Sequence, residues 1–158
     1  LCDTFRIPIV SLVDEPGFLI GPDAERAGTI LHGTEAVLAT TESKVPWSTI
    51  MIRKSFGVAA AAHYGPDGYV LAWPSAESGP LPLEGGVAVA FKKEIASAKN
   101  PEAKRKELEE KMAKNQSPFP RAEAFSVHEI IDPRETRKYI ALWAERIQSQ
   151  LKASLMNR

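Results

Sequence analysis

Two glycine-bearing stretches are the places where this chain could do chemistry with its backbone. They are Ile52-Arg53-Lys54-Ser55-Phe56-Gly57-Val58-Ala59-Ala60-Ala61 and Pro82-Leu83-Glu84-Gly85-Gly86-Val87. Each reads as a turn that opens a helix. The leading N–H groups of a helix have no partner within it. Small side chains let a ligand oxygen approach those donors, which is the physics of an oxyanion hole built from backbone. The same composition also serves the plainer purpose of packing a helix start closely. Side-chain chemistry is sparse by comparison. His32, His63 and His128 show no HxxxH spacing, and neither a GxSxG nor a GxxxxGK[ST] motif is present. No strand-linked GxGxxG occurs either. His63 follows the first turn and is the least isolated of the three; all three read as packing or surface residues.

The elements that must position these turns belong to 158 residues and 17.3 kDa, the size of one domain, taken here as residues 1–158. Hydrophobic residues at 44% and charged residues at 25% suit an ordinary globular chain. Twenty Lys+Arg balance twenty Asp+Glu, which argues against nucleic acid bound through its phosphates. One cysteine, Cys2, excludes a disulfide framework and a multi-cysteine metal site. No apolar run approaches a membrane span, and no signal-peptide pattern opens the chain. Neither nucleic acid nor membrane is expected as a partner. Leu1 to Phe5 reads as the end of a helix, so the chain is expected to begin in the middle of a fold.

Ile7 to Val13 is a mostly β-branched apolar run, the signature of a strand covered on both faces. Asp14-Glu15-Pro16-Gly17-Phe18 then breaks it. Pro22 to about Ser43 is predicted as one helix, with Gly28 and Gly33 marking close packing against another backbone. Ser48–Ile52 is a second strand, Arg53–Gly57 a loop, and Val58–His63 a small helix. Tyr69–Trp73 is a third strand, Gly79–Leu83 a loop, and Glu84 to about Ala98 a helix. The order β-α-β-α-β-α is that of an α/β layer. Asn100 can cap a charged helical arm over 99–115, read as a solvated face with Glu102/Lys106, Glu107/Lys111 and Glu110/Lys114 pairs. Ser117-Pro118-Phe119-Pro120 ends it. Asp132-Pro133-Arg134-Glu135 is a start signal for a C-terminal helix over 133–152. Ile140, Trp143, Ile147 and Leu151 form its apolar stripe, read as packing against the body or a second subunit.

Several motifs together resemble one family. Cys2-Asp3-Thr4-Phe5 and Ile7-Pro8-Ile9-Val10 precede Asp14-Glu15-Pro16-Gly17-Phe18, where the acyl-CoA carboxylase carboxyltransferase (β-subunit) family reads D-x-P-G-F. His32-Gly33 and Val45-Pro46 follow in order. Arg53-Lys54-Ser55-Phe56-Gly57 stands where the family has R-K-x-Y-G-G-A-Y. Ala72-Trp73-Pro74-Ser75-Ala76-Glu77 resembles A-W-P-x-A-E, and Glu84-Gly85-Gly86 resembles P-E-G-A. Ile131-Asp132-Pro133-Arg134-Glu135-Thr136-Arg137 follows I-D-P-R-x-T-R. The match runs from Cys2 to about Leu142.

The resemblance implies an α/β crotonase-like spiral of β/α units with C-terminal helices, of which this chain is the later part of the C-terminal half. It implies carboxyl transfer from carboxybiotin, carried on a biotin carrier protein, to the α-carbon of an acyl-CoA. Biotin carboxylase and biotin carrier subunits are the implied partners, in a homo-oligomer. The implied location is the cytoplasm, or the mitochondrial matrix in a eukaryote. Carried over residue by residue, the Val58 and Ala59 amides would be the oxyanion donors, with Gly57 shaping the turn. Pro16, Gly17 and Phe18 would line the biotin pocket, and Glu84, Gly85 and Gly86 its adjacent wall. Ala60 and Ala61 would set acyl size. Released biotin can itself take the α-proton, so no acid–base side chain need be visible. One departure stands out: Val58, bulky and β-branched, replaces a glycine, disfavouring positive φ and close backbone approach. Two other readings stay open: a biotin-dependent malonyl- or methylmalonyl-CoA decarboxylase subunit, and a non-catalytic scaffold subunit of such a complex. Residues 1–158 alone are expected to be inactive and to expose apolar surface.

Overall fold

Ile9-Val10-Ser11-Leu12-Val13 folds as the expected strand, β1 (Ile9–Glu15), but only one of its faces is covered. Val13 is fully buried, whereas Val10 and Leu12, pointing the other way, are 39% and 55% exposed. β1 is also the edge of the sheet, which corrects the reading of a strand covered on both faces. The computed structural model describes residues 1–156, leaving aside the side chains of Glu84, Gln150 and 153–156. A short helix, α1 (Cys2–Phe5), precedes β1 and ends at Arg6 in a left-handed conformation.

The predicted helix over Pro22–Ser43 is two helices. α2 (Pro22–Arg26) stops at Ala27, and α3 (Thr29–Thr41) restarts after Gly28, whose φ of +71° breaks the helical path. The second strand is longer than its sequence suggests. β2 (Trp47–Phe56) runs on through Arg53–Phe56, a stretch that reads as a loop in sequence. Its first half pairs in parallel with β3 (Tyr69–Ala72), from Ser48↔Tyr69 to Met51↔Ala72. Its second half pairs with β4 (Glu77–Gly79), from Lys54↔Glu77 to Phe56↔Gly79. β4 is too short to show a periodic signal, so the partner that keeps Arg53–Phe56 extended is invisible in the sequence. β5 (Glu129–Ile130) adds to β3, giving an all-parallel sheet of order β1-β2-β3-β5 with β4 beside β2.

Two apolar clusters hold the sheet. One joins Met51, Val70, Ala72, Ala76 and Val127, with Tyr64 and Ala122 against it. The other joins Ile50, Leu71 and Ile131, with Trp73, Tyr139 and Ile140 against it. Tyr139 and Ile140 come from α9 (Thr136–Met156), whose Trp143 and Ile147 are also buried. The C-terminal stripe thus packs on the body. A single 3₁₀ turn (Pro133–Glu135) starts this segment. Asp132 caps it, accepting from the Arg134 N–H at 2.9 Å, and pairs with the Arg134 guanidinium at 2.6 Å. That side-chain pairing, more than the backbone bond, pulls the Asp132 carboxyl from 3.8 down to about 2. A carboxyl lowered on folding contributes stability above its unfolded value and loses it as pH falls through the folded one. The Asp132 contribution is therefore expected to be complete above pH 3.8 and to vanish toward pH 2. Acid titration of Asp132→Asn beside the parent should show a shallower loss in that window. Parallel curves would contradict it.

The region after Pro82 differs most from its sequence reading. The helix expected from Glu84 to Ala98 is split into α5 (Leu83–Ala90) and α6 (Lys92–Ser97) at Phe91. α7 (Pro101–Gln116) is capped by Asn100, whose side chain accepts from the Ala103 N–H at 3.1 Å. It is not a free arm. It lies against α5, α6 and β4 and buries Leu108 and Gln116. Its ion pairs also differ from the expected set: Arg105–Glu109 at 2.7 Å, and Lys104 held between Glu107 at 3.0 Å and Glu94 of α6 at 3.2 Å. Packing against α6 brings in Glu94 and draws Glu107 back toward Lys104. α8 (Pro118–Glu123) then continues beyond the break at Ser117.

Candidate functional site

The site forms where β1 and β2 end. Val13 faces Met51 but Glu15 faces Ser55, so Asp14 stands opposite Ile52, Arg53 and Lys54. Such a bulge bends the strand and re-aims the residues beyond it. Asp14 Oδ1 anchors it, accepting from the Lys54 N–H and from Arg53 Nε, both at 3.2 Å. Phe56 ends β2 in extended geometry, its ring 1% exposed. Gly57 then takes φ +63° and begins α4 (Gly57–Ala61). A left-handed φ at this corner is what glycine supplies without a Cβ penalty. No side chain caps α4, so the Val58 and Ala59 N–H groups open the helix with no carbonyl one turn back to receive them.

The residues that carry these donors line a cavity of about 600 Å³. Its walls are Pro16, Gly17 and Phe18 after β1, Gly57, Val58 and Ala59 of α4, the Pro80-Leu81-Pro82 loop after β4, and Gly85 and Gly86 of α5. Glu15 Oε1 accepts from the Gly17 N–H at 2.9 Å and fixes the first wall. Gly17 and Gly85 have positive φ and open space where a Cβ would stand. The tip of the Phe18 ring reaches α3 at Gly33: a Cβ there would fall on the ring's Cζ. The close packing expected at Gly33 is therefore against an aromatic ring, not against backbone. Ile20, Ile30 and Val89 complete an apolar rim, Ile20 at 91% and Val89 at 73% exposure.

The structure thus gathers Pro16, Gly17, Phe18, Gly57, Val58, Ala59, Gly85 and Gly86, drawn from three separate stretches of the chain, around one cavity. It does not bring Ala60 or Ala61 there: Ala60 is buried in the body and Ala61 faces solvent. The side chain of Glu84 lies outside the described residues. The steric objection to Val58 dissolves locally. Gly57 carries the positive φ, Val58 does not, and its side chain is 66% exposed at the mouth. Pro80, Leu81 and Pro82 read in sequence only as a loop; nothing in their types announces a wall.

Among the described residues, no titratable side chain lines the cavity. What it offers chemically is the N–H groups at the start of α4 beside mostly apolar walls. The histidines sit elsewhere. His63 Nδ1 is 3.1 Å from Ser11 Oγ, His32 Nδ1 is 3.3 Å from Glu35, and His128 Nδ1 accepts from the Val70 N–H at 3.0 Å. Among the described residues there is no cluster able to hold a metal ion, and no helix long and apolar enough to cross a membrane.

Comparison with known proteins places this geometry. Residues 1–157 match the carboxyl transferase domain. The methylmalonyl-CoA carboxyltransferase 12S subunit of Propionibacterium freudenreichii subsp. shermanii is 42% identical over 144 residues, covering 89% of this chain and 28% of that protein. The propionyl-CoA carboxylase carboxyltransferase subunit of Haloferax mediterranei is 37% identical over 157 residues, covering 96% of this chain and 30% of that protein. The crystal structure of transcarboxylase 12S, a hexamer with methylmalonyl-coenzyme A and methylmalonic acid bound, superposes with a TM-score of 0.86 at 40% identity. That match covers 94% of this chain and 29% of the other. The chain therefore spans under a third of the length of these relatives. Its architecture is the α/β crotonase-like one that the sequence resemblance implied.

Proposed function

The chain belongs to the carboxyl transferase domain family, and on that premise we propose that its cavity is the biotin side of a biotin-dependent acyl-CoA carboxyltransferase. The supporting observation is the pair of open N–H groups behind Gly57, in a cavity whose described lining contains no titratable group.

The residues present fit biotin. A flat ureido ring needs donors for its carbonyl oxygen and apolar surface for its sulfur ring. The start of α4 provides the first; Phe18, Leu81 and the open space at Gly17 and Gly85 provide the second. When bound, the tethered cofactor supplies the carboxyl group that is exchanged with the acyl-CoA α-carbon. The chain's own work is electrostatic. Val58 and Ala59 N–H groups hold the ureido oxygen and stabilise the negative charge that grows on it during transfer. Donors already in place cost no reorganisation at that moment, and act more strongly in dry, apolar walls. Phe18 and the Pro80–Pro82 loop orient the ring and exclude water. The acyl-CoA would be presented by another part of the protein or by a second subunit, toward the exposed rim of Ile20, Val58 and Val89. Biotin carboxylase and biotin carrier subunits, a homo-oligomer and a location in the cytoplasm or mitochondrial matrix belong to the same proposal.

The test uses the intact subunit with methylmalonyl-CoA or malonyl-CoA and free biotin as acceptor. Decarboxylated acyl-CoA should form only when biotin is present. Absence of biotin-dependent turnover with either thioester would overturn the reading and favour a scaffold subunit. Val58→Gly should leave the biotin-dependent kcat within about twofold, because its amide and not its side chain acts. A larger loss would put the valine side chain into the site.

A further inference from the structure

A second cavity lies on the other side of the Pro80–Leu81 loop. It measures about 420 Å³, within the range of small-molecule sites, about 300–1,000 Å³. Leu81, Phe91, Leu108 and Met112 give it an apolar body between α5, α6 and α7. Two polar groups of its lining are left unpaired. Ser78 is 4% exposed, and its Oγ is buried without a hydrogen-bond partner. Arg121 Nε is buried and unpartnered in the same way. Both residues line this cavity. Native proteins pair nearly all such groups, because burial without a partner is costly. Neighbouring groups obey the rule: Gln116 Nε2 donates to the Leu81 carbonyl at 2.8 Å, and the Ser55 and Tyr64 hydroxyls meet at 2.8 Å.

Charge identifies the missing partner. Lys104, at the mouth, is already held between Glu94 and Glu107. Lys111 and Arg121 remain as cations of the lining, and among the described residues neither has a carboxylate within ion-pair distance. Set against Glu94 and Glu107, the lining keeps one positive charge in excess. Two hydrogen-bond donors, one surplus positive charge and an apolar body match a planar monoanion carrying a hydrocarbon tail. A guanidinium fits a carboxylate edge to edge, whereas a dianionic phosphate would be poorly solvated by such walls.

We propose that this cavity binds a small amphipathic monocarboxylate, its carboxylate on Arg121 and Ser78 and its hydrocarbon chain among Leu81, Phe91, Leu108 and Met112. Neither Arg121 nor Ser78 lines the first cavity, and Pro80 and Leu81 form the wall that the two cavities share.

Calorimetric titration of the intact subunit with hexanoate, hexanol and inorganic phosphate tests it. Hexanoate should bind saturably, once per chain, and more tightly than either control. Arg121→Gln should weaken hexanoate by about tenfold, the worth of one charge-assisted pair, Arg121→Lys should fall between, and Ser78→Ala should cost a few-fold. Hexanoate binding no tighter than hexanol, phosphate binding as tightly, or unchanged affinity in Arg121→Gln would each overturn the proposal. The comparison of the three probes on the unaltered protein needs no variant, so it holds even where a substitution unfolds the chain.

Discussion

Gly57→Ala should lower the kcat of biotin-dependent transfer in the intact subunit by about 10²-fold, the loss typical of one misplaced oxyanion donor. The cause lies in the backbone. Gly57 sits at φ +63°, where an L-residue pays about 1–2 kcal/mol. Steric conflict is the lesser part, because a Cβ there would rest 3.5 Å from the Pro80 carbonyl, an ordinary contact. The substituted turn relieves its strain by rotating toward negative φ, which turns the Val58 and Ala59 N–H groups away from their common focus. The KM for the acyl-CoA should stay near its original value, since that substrate is proposed to be held elsewhere. Steady-state kinetics with free biotin distinguishes the two parameters. A kcat unchanged within about twofold would remove the Gly57 turn from the reaction.

Gly33→Val should act on binding. Its new Cβ would stand 2.2 Å from Phe18 Cζ and 2.5 Å from Cε1, inside the ring's volume. Since Gly33 is fixed in α3, Phe18 must move. The ring tip is the mobile partner, and replacing a mid-helix glycine recovers part of its propensity cost. Net stability should therefore fall by only about 1–2 kcal/mol. The cavity meanwhile loses its aromatic wall, which should raise the KM for free biotin by about tenfold while kcat changes less. Thermal melting beside the kinetics checks both parts. A large stability loss with an unaltered KM would mean that Phe18 is only a packing residue. The contrast with Gly57 is diagnostic: one glycine sets donors and moves kcat, the other makes room for a wall and moves KM.

Much of the cavity was legible in residue types because its chemistry is backbone chemistry. Gly57 before a run of alanines advertises a helix start with approachable amides, and Pro16-Gly17-Phe18 advertises a turn with one aromatic. Ordered motifs from Cys2 to Arg137 carried the family resemblance, which the carboxyl transferase domain match over 1–157 bears out. The elements that depart from their sequence reading share one trait: each depends on a partner distant in sequence. Arg53–Phe56 stays extended because β4 pairs with it. The charged α7 packs because α5 and α6 offer it a surface, so Leu108 and Gln116 are buried in a helix that is polar almost all round. β1 shows the converse, an apolar strand with Val10 and Leu12 left exposed.

By itself, then, the sequence determined the local devices: which residues can take positive φ, where helices can start, and which stretches are apolar. Those are set by steric and hydrogen-bonding preferences within a few residues. Only the tertiary structure decided which devices meet. The Asp14 bulge turns the end of β2 so that the Gly57 turn faces Phe18, and α3 yields at Gly33 to seat that ring. It also left Ser78 Oγ and Arg121 Nε buried without partners in the lining of a largely apolar cavity. Unmet hydrogen-bonding capacity is a property of a packed interior, so no reading of residue order could have found it.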